Sequence, residues 1–194
     1  MAKRHERTYA RKQAIQVLYQ AEILDVAPAS LLENDASFID GATPSKYAQR
    51  LISGIQEAQA AIDSLLEEYS ENWAVDRMPS LDRAVLRLAC YEMACVDEVP
   101  VSVAINEAVD LAKEFGGEDE SHRFVNGVLG RIADYLEEHD GALPGTAAPA
   151  AQEAPAEDAP EAAAPEADAP EATEDAPEAG VEAAAQSDAE SERA

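Results

Sequence analysis

Tryptophan occurs once in this 194-residue sequence, cysteine twice, aromatic residues make up only 5%, and bases are outnumbered 14 to 40 by acids. Each scarcity narrows the reading. Cys90 and Cys95 fall in one helical stretch, where a five-residue step turns them about 140° apart, so they do not suit an intrahelical bridge and read as two buried thiols of a reducing cytoplasm. No apolar run approaches the roughly 18 residues of a membrane helix. The opening MAKRHERTYARK leads into no hydrophobic signal core, so the expectation is a soluble, cytoplasmic protein. His5, His122 and His139 have no cysteine or carboxylate at metal-ligand spacing, and neither HExxH, Walker A nor GxGxxG occurs. A metal, a cofactor and a catalytic set are therefore not expected.

The acidity is divided between two kinds of chain. Residues 1–140 carry 26 acids and 13 bases, while 141–194 carry 14 acids and one base. From Gly141 onward there is no Phe, Tyr, Trp, Ile or Met, and APEA recurs at Ala159, Ala164, Ala169 and Ala176. Proline at that frequency blocks continuous helix, and high charge with few apolar side chains favours a solvated coil. The expectation is a folded body over 1–140 and a disordered acidic tail over 141–194. That tail either serves solubility alone or competes with anionic ligands for the body's cations.

Within the body the apolar spacing is helical throughout. Ala10, Ala14, Val17, Leu18, Ala21 and Leu24 form one stripe, ended by Pro28. Thr43 is positioned to cap a second helix with Pro44 at its first position, and Tyr47, Leu51, Ile55, Ile62, Leu65 and Tyr69 follow. A third helix after Pro79 is apolar almost all round, with Glu92 isolated among apolar neighbours, so it reads as the central element. Glu92 then needs an arginine or a helix N-terminus more than it needs a catalytic role. Two more stripes run from Val101 to Phe115, closed by Gly116-Gly117, and from Phe124 to Leu136. Gly127 inside the last is expected to mark a close helix crossing. With no βαβ alternation, the body reads as an all-α bundle.

Five of the body's 13 bases, Lys3, Arg4, Arg7, Arg11 and Lys12, lie in its first 12 residues. Arg4, Arg7 and Arg11 share a helical face, which either neutralises phosphates or pairs with nearby acids. Tyr19, two turns beyond Lys12, is either a stacking platform for a base or a packing residue, while Phe124 starts a stripe with Val128 and Ile132.

RKQAIQVLYQAE (Arg11 to Glu22), LDRAVLRLACYEM (Leu81 to Met93), VPVSVAINEAVDLAKEFG (Val99 to Gly116) and HRFVNGVLGRI (His122 to Ile132) resemble, in order and spacing, the bacterial NusB family of transcription antitermination factors. The resemblance spans about residues 4 to 137. It implies an all-helical fold of two helical subdomains and binding of boxA RNA, an element of ribosomal RNA leader transcripts, together with NusE, a small-subunit ribosomal protein. It also implies an antitermination complex with RNA polymerase and other Nus factors, no catalysed chemistry, and either a monomer or a homodimer. Carried over by position, its arginine-rich start falls on Arg7 and Arg11, extended by Lys3 and Arg4. Its RNA-contacting tyrosine falls on Tyr19, its FVNG aromatic on Phe124, and its acidic position near the RNA on Asp82. Asn106 and Asn126 read as bonding backbone between helices. The module also resembles the amino-terminal domain of ribosomal RNA cytosine methyltransferases, but 141–194 supplies neither a cofactor loop nor a catalytic cysteine. A helical adaptor without RNA would leave the basic arm unexplained.

Overall fold

The computed structural model describes residues 2–33, 43–70, 74–115 and 120–145, with residues 2–4 described as backbone only. Gly116-Gly117 and the tail beyond Gly145 lie outside the described residues. Six helices account for nearly all of what is described, with no strand among those residues: α1 (Ala2–Leu24), α2 (Pro28–Glu33), α3 (Lys46–Tyr69), α4 (Ser80–Cys95), α5 (Val101–Phe115) and α6 (Ser121–Glu138). A single 3-10 turn, Val75–Arg77, precedes α4.

Local chemistry sets the ends, and in two places it differs from the sequence expectation. The first helix stops at Leu24 because Asp25 turns left-handed, φ 53°, and the Val26 N–H closes back on the Ala21 carbonyl at 3.0 Å. Pro28 therefore does not end α1; it opens α2, where its missing N–H removes no bond. The cap of α3 is Ser45 rather than Thr43. Its Oγ accepts the Ala48 N–H at 3.2 Å, while the Gln13 side chain accepts the Ser45 N–H at 3.0 Å, so a bond from α1 decides where α3 begins.

α1, α2 and α3 pack on one another, as do α4, α5 and α6, and α4 joins the sets by packing on α1 and α3 as well. Eleven of its 16 residues are buried, as a helix apolar on every side requires. Leu86 and Leu88 are fully enclosed there, each burial stabilising by about 1.5–3 kcal/mol. Cys90 is buried, and burial pushes its thiol pKa up; Cys95 is only half-buried.

The close crossing is at Gly54, not Gly127. A Cβ on Gly54 would lie 2.0 Å from the Tyr91 hydroxyl, whereas one on Gly127 would meet nothing within 4 Å. Asn106 and Asn126 are exposed rather than bridging helices. At the end of α6, Asp140 and Gly141 both take positive φ, and the Gly141 N–H bonds the Leu136 carbonyl at 2.7 Å. That reversal buries Leu143 in the core, so packing continues past the boundary that composition placed at 141.

Candidate nucleic-acid interface

Four residues are a little over one helical turn, so Arg7 and Arg11 do share a face of α1. That face turns toward the bundle. Arg11 is only 2% exposed: its Nε donates to both oxygens of Glu92 at 3.0 and 2.9 Å, and its Nη1 to Glu107 Oε2 at 3.2 Å. Burial opposes the Arg11 charge, yet the bonded Glu92 carboxylate outweighs it and raises the guanidinium above its usual range. Thr8 Oγ1 also donates to Glu107 Oε2, at 2.7 Å, and Tyr47 Oη to Glu92 Oε1, at 2.5 Å. Burial and the Glu92 charge push the Tyr47 phenol up, so it stays protonated and donating. Arg11, expected on phosphate, is corrected to a structural ion: a guanidinium enclosed by two carboxylates has neither access nor spare charge for RNA.

Arg7 stands differently. Its Cζ lies 5.2 Å over the Tyr47 ring centroid, its Nη1 reaches the Glu98 carbonyl at 3.4 Å, and it remains half-buried at the rim. Lys12 pairs with Glu114 at 2.5 Å on the surface. The side chains of Lys3 and Arg4 lie outside the described residues; their backbone continues α1.

Tyr19 is 42% exposed on the outward side of α1, free of the packing that its neighbour Leu18 provides. Tyr9 and Ile23 are exposed on the same helix. Phe124 is half-buried against the core, so part of its ring packs and part is accessible. Asp82 needs a second correction. It is buried in the first turn of α4 and accepts the Ser121 hydroxyl at the first turn of α6, which makes it a tie between two helix starts rather than a surface acid.

Sequence reasoning brought out Glu92 as a carboxylate needing a cation but missed Glu107, Thr8 and Tyr47. Tyr47 was legible only as a stripe residue, and Glu107 only as one acid among many. Their shared role appears when α1, α3, α4 and α5 converge.

The fold is thus an all-helical bundle whose first helix carries a basic start and is tethered across both helical sets. The model of the NusB family matches residues 8–134. Transcription antitermination protein NusB of Bacillus licheniformis is 39% identical over 132 residues, covering 68% of this chain and 99% of that protein. Its counterpart in Salinispora arenicola is 42% identical over 131 residues, covering 66% and 96%. Among solved structures, NusB of T. maritima aligns with a TM-score of 0.57 at 37% identity, covering 66% of this chain and 90% of that one. A structure of antitermination factors NusB and NusE with double-stranded RNA aligns at 0.59 and 25% identity, covering 68% and 98%. The chain belongs to the NusB family, a family of transcription antitermination proteins rather than of enzymes. No helix among the described residues is long and apolar enough to cross a membrane.

Proposed function

We propose that this protein is an RNA-binding antitermination factor that recognises the boxA element of ribosomal RNA leader transcripts together with NusE, within an assembly of RNA polymerase and the other Nus factors. The likeness of the body to a NusB solved with NusE and RNA carries this reading. The described surface agrees with it: Arg7 sits at the rim of the bundle, Tyr19 is exposed farther along α1, and Phe124 keeps part of its ring accessible. Arg11 and Asp82 act beneath that surface. With Arg11 withdrawn, the arm offers Lys3, Arg4 and Arg7 to phosphates.

The test is the affinity of the purified chain for a boxA-like single strand, with and without NusE. Binding should tighten when NusE is added. Three arm cations imply a slope of roughly −2 in log K against log salt. Replacing Lys3, Arg4 and Arg7 by Ala should weaken every sequence alike, because phosphate contacts position rather than specify. Tyr19→Ala should cost about 1–3 kcal/mol of RNA binding with the melting temperature unchanged. A chain that binds no RNA in either condition would overturn the reading.

A further inference from the structure

Arg7 and Arg11 are joined by a path that leaves α1 and returns to it. Arg11 clamps Glu92 of α4, Glu92 accepts the Tyr47 hydroxyl from the first turn of α3 at 2.5 Å, and the Tyr47 ring lies under the Arg7 guanidinium at 5.2 Å. Glu92 has no exposure at all, so the Tyr47 hydroxyl is tied to a fixed point. Beyond this ring, Arg7 touches the Glu98 carbonyl at 3.4 Å, while the Glu98 carboxylate faces Arg50 at 3.7 Å. No carboxylate among the described residues neutralises Arg7.

We propose that Tyr47 is a positioning residue for RNA binding: anchored through its hydroxyl by Glu92, its ring holds Arg7 at the rim of the bundle in a conformation ready for a phosphate. This rests on the RNA-binding reading above. An arginine side chain free in solution must be ordered when it binds, and that ordering weakens association. A contact with a ring face uses the face of the guanidinium and leaves its in-plane N–H groups available to an anion. Tyr47 thus orders Arg7 in advance without accepting a hydrogen bond from it, and among the described residues only Nη1 of the guanidinium N–H groups is engaged, by the Glu98 carbonyl at 3.4 Å. The two arginines divide the labour: Arg11 holds the anchor, and Arg7 works at its far end.

The experiment uses the full chain and a boxA-like single strand, with affinity measured on Tyr47→Phe, Tyr47→Leu, Arg7→Ala and the Arg7→Ala/Tyr47→Leu double variant, at a temperature where circular dichroism shows each folded. Tyr47→Leu should bind about threefold to tenfold more weakly, the ordering of one long side chain. Tyr47→Phe, which keeps the ring but loses its anchor on Glu92, should melt earlier and fall between wild type and Tyr47→Leu in affinity. In the Arg7→Ala background, Tyr47→Leu should have no further effect. If Tyr47→Leu fails to fold, Tyr47→Met supplies a similar volume without a ring face and the same comparison applies. Unchanged affinity in Tyr47→Leu, or an equal loss with and without Arg7, makes Tyr47 structural and overturns the proposal. Arg7→Ala with wild-type affinity overturns it too, while leaving RNA binding itself in place; a wild-type chain that binds no RNA removes both.

Discussion

Two of the regions where arginine meets carboxylate in this bundle share a fork geometry and differ in their exposure to water. Where α1 meets α3, α4 and α5, Arg11 lies between Glu92 and Glu107 with almost no exposure of any partner. Where α4 crosses the end of α1 and the middle of α3, Arg83 bonds Glu22 and the Val75 carbonyl, and Arg87 bonds Asp63 at 2.7 and 2.8 Å. The carboxylates of this second region keep about a quarter of their side-chain surface in solvent. They line an open groove of about 680 Å³ with Asp25, Glu67 and Asp76. Removing one partner from the first region leaves an ion in a low dielectric; removing one from the second lets water take its place. Neither region offers a free cation, so under the proposed function the charge that meets phosphate lies elsewhere, at the rim with Arg7.

The largest effect tests the buried region. Glu92→Ala should destabilise folding by about 3–5 kcal/mol in urea titration, because Arg11 is left uncompensated. Replacing both Arg11 and Glu92 with apolar residues should cost less than the two single changes together. A Glu92→Ala protein no less stable than Glu22→Ala would erase the contrast between the regions.

Next in size is the same contrast between closed and open sites, applied to glycines. Gly54→Ala should destabilise by about 1–3 kcal/mol, since the Tyr91 ring must move inside a packed core. Gly127→Ala, with open space above it, should stabilise α6 by up to about 1 kcal/mol. Paired thermal melts of the two variants read both signs at once.

The solvent-facing region should respond to pH more than to mutation. Glu22→Gln should cost about 1 kcal/mol at neutral pH. Burial pushes the Glu22 carboxyl up, but hydrogen bonds from Arg83 and Ser80 and the charges of Arg83 and Arg87 outweigh it and hold it below the usual glutamate range. A carboxylate depressed in the folded state contributes stability that is present above its unfolded pKa and lost as pH falls through the folded one. The gap between wild type and Glu22→Gln should therefore close in acid, which unfolding midpoints measured from neutral pH downward will check.

The smallest effect belongs to the tail. Truncation after Gly145 keeps Leu143 in the core and should leave the melting temperature unchanged. It removes 14 acids and one base, so it should tighten nonspecific RNA binding at about 0.05 M salt, with the gain fading as salt shortens the screening length. Equal affinities at low salt would leave solubility as the tail's role.

Much of the fold was legible because helical periodicity is a local property. The stripes of α1, α3, α5 and α6 and the all-round apolarity of α4 follow from side-chain spacing, and the family motifs lie on those same helices. Exposure of Tyr19 followed from neither, since Leu18 beside it is buried and a stripe has width. Nothing near Gly54 in sequence sets it apart from Gly127 and Gly130, the other helical glycines among the described residues. Only the passage of Tyr91 across α3 distinguishes Gly54.

By itself the sequence determined that this chain makes helices, where most of them lie, that its cations gather at the start of α1, and which family it resembles. All of these are read from residues near one another along the chain. Whether Arg11 meets RNA or Glu92, whether Asp82 faces solvent or Ser121, and what lies beneath Arg7 depend on residues 39 to 96 positions apart. A helix face has no inside until other helices close on it. The tertiary structure decided which cations are held within the fold and which remain at its edge, because burial sets the cost of leaving a charge unpaired.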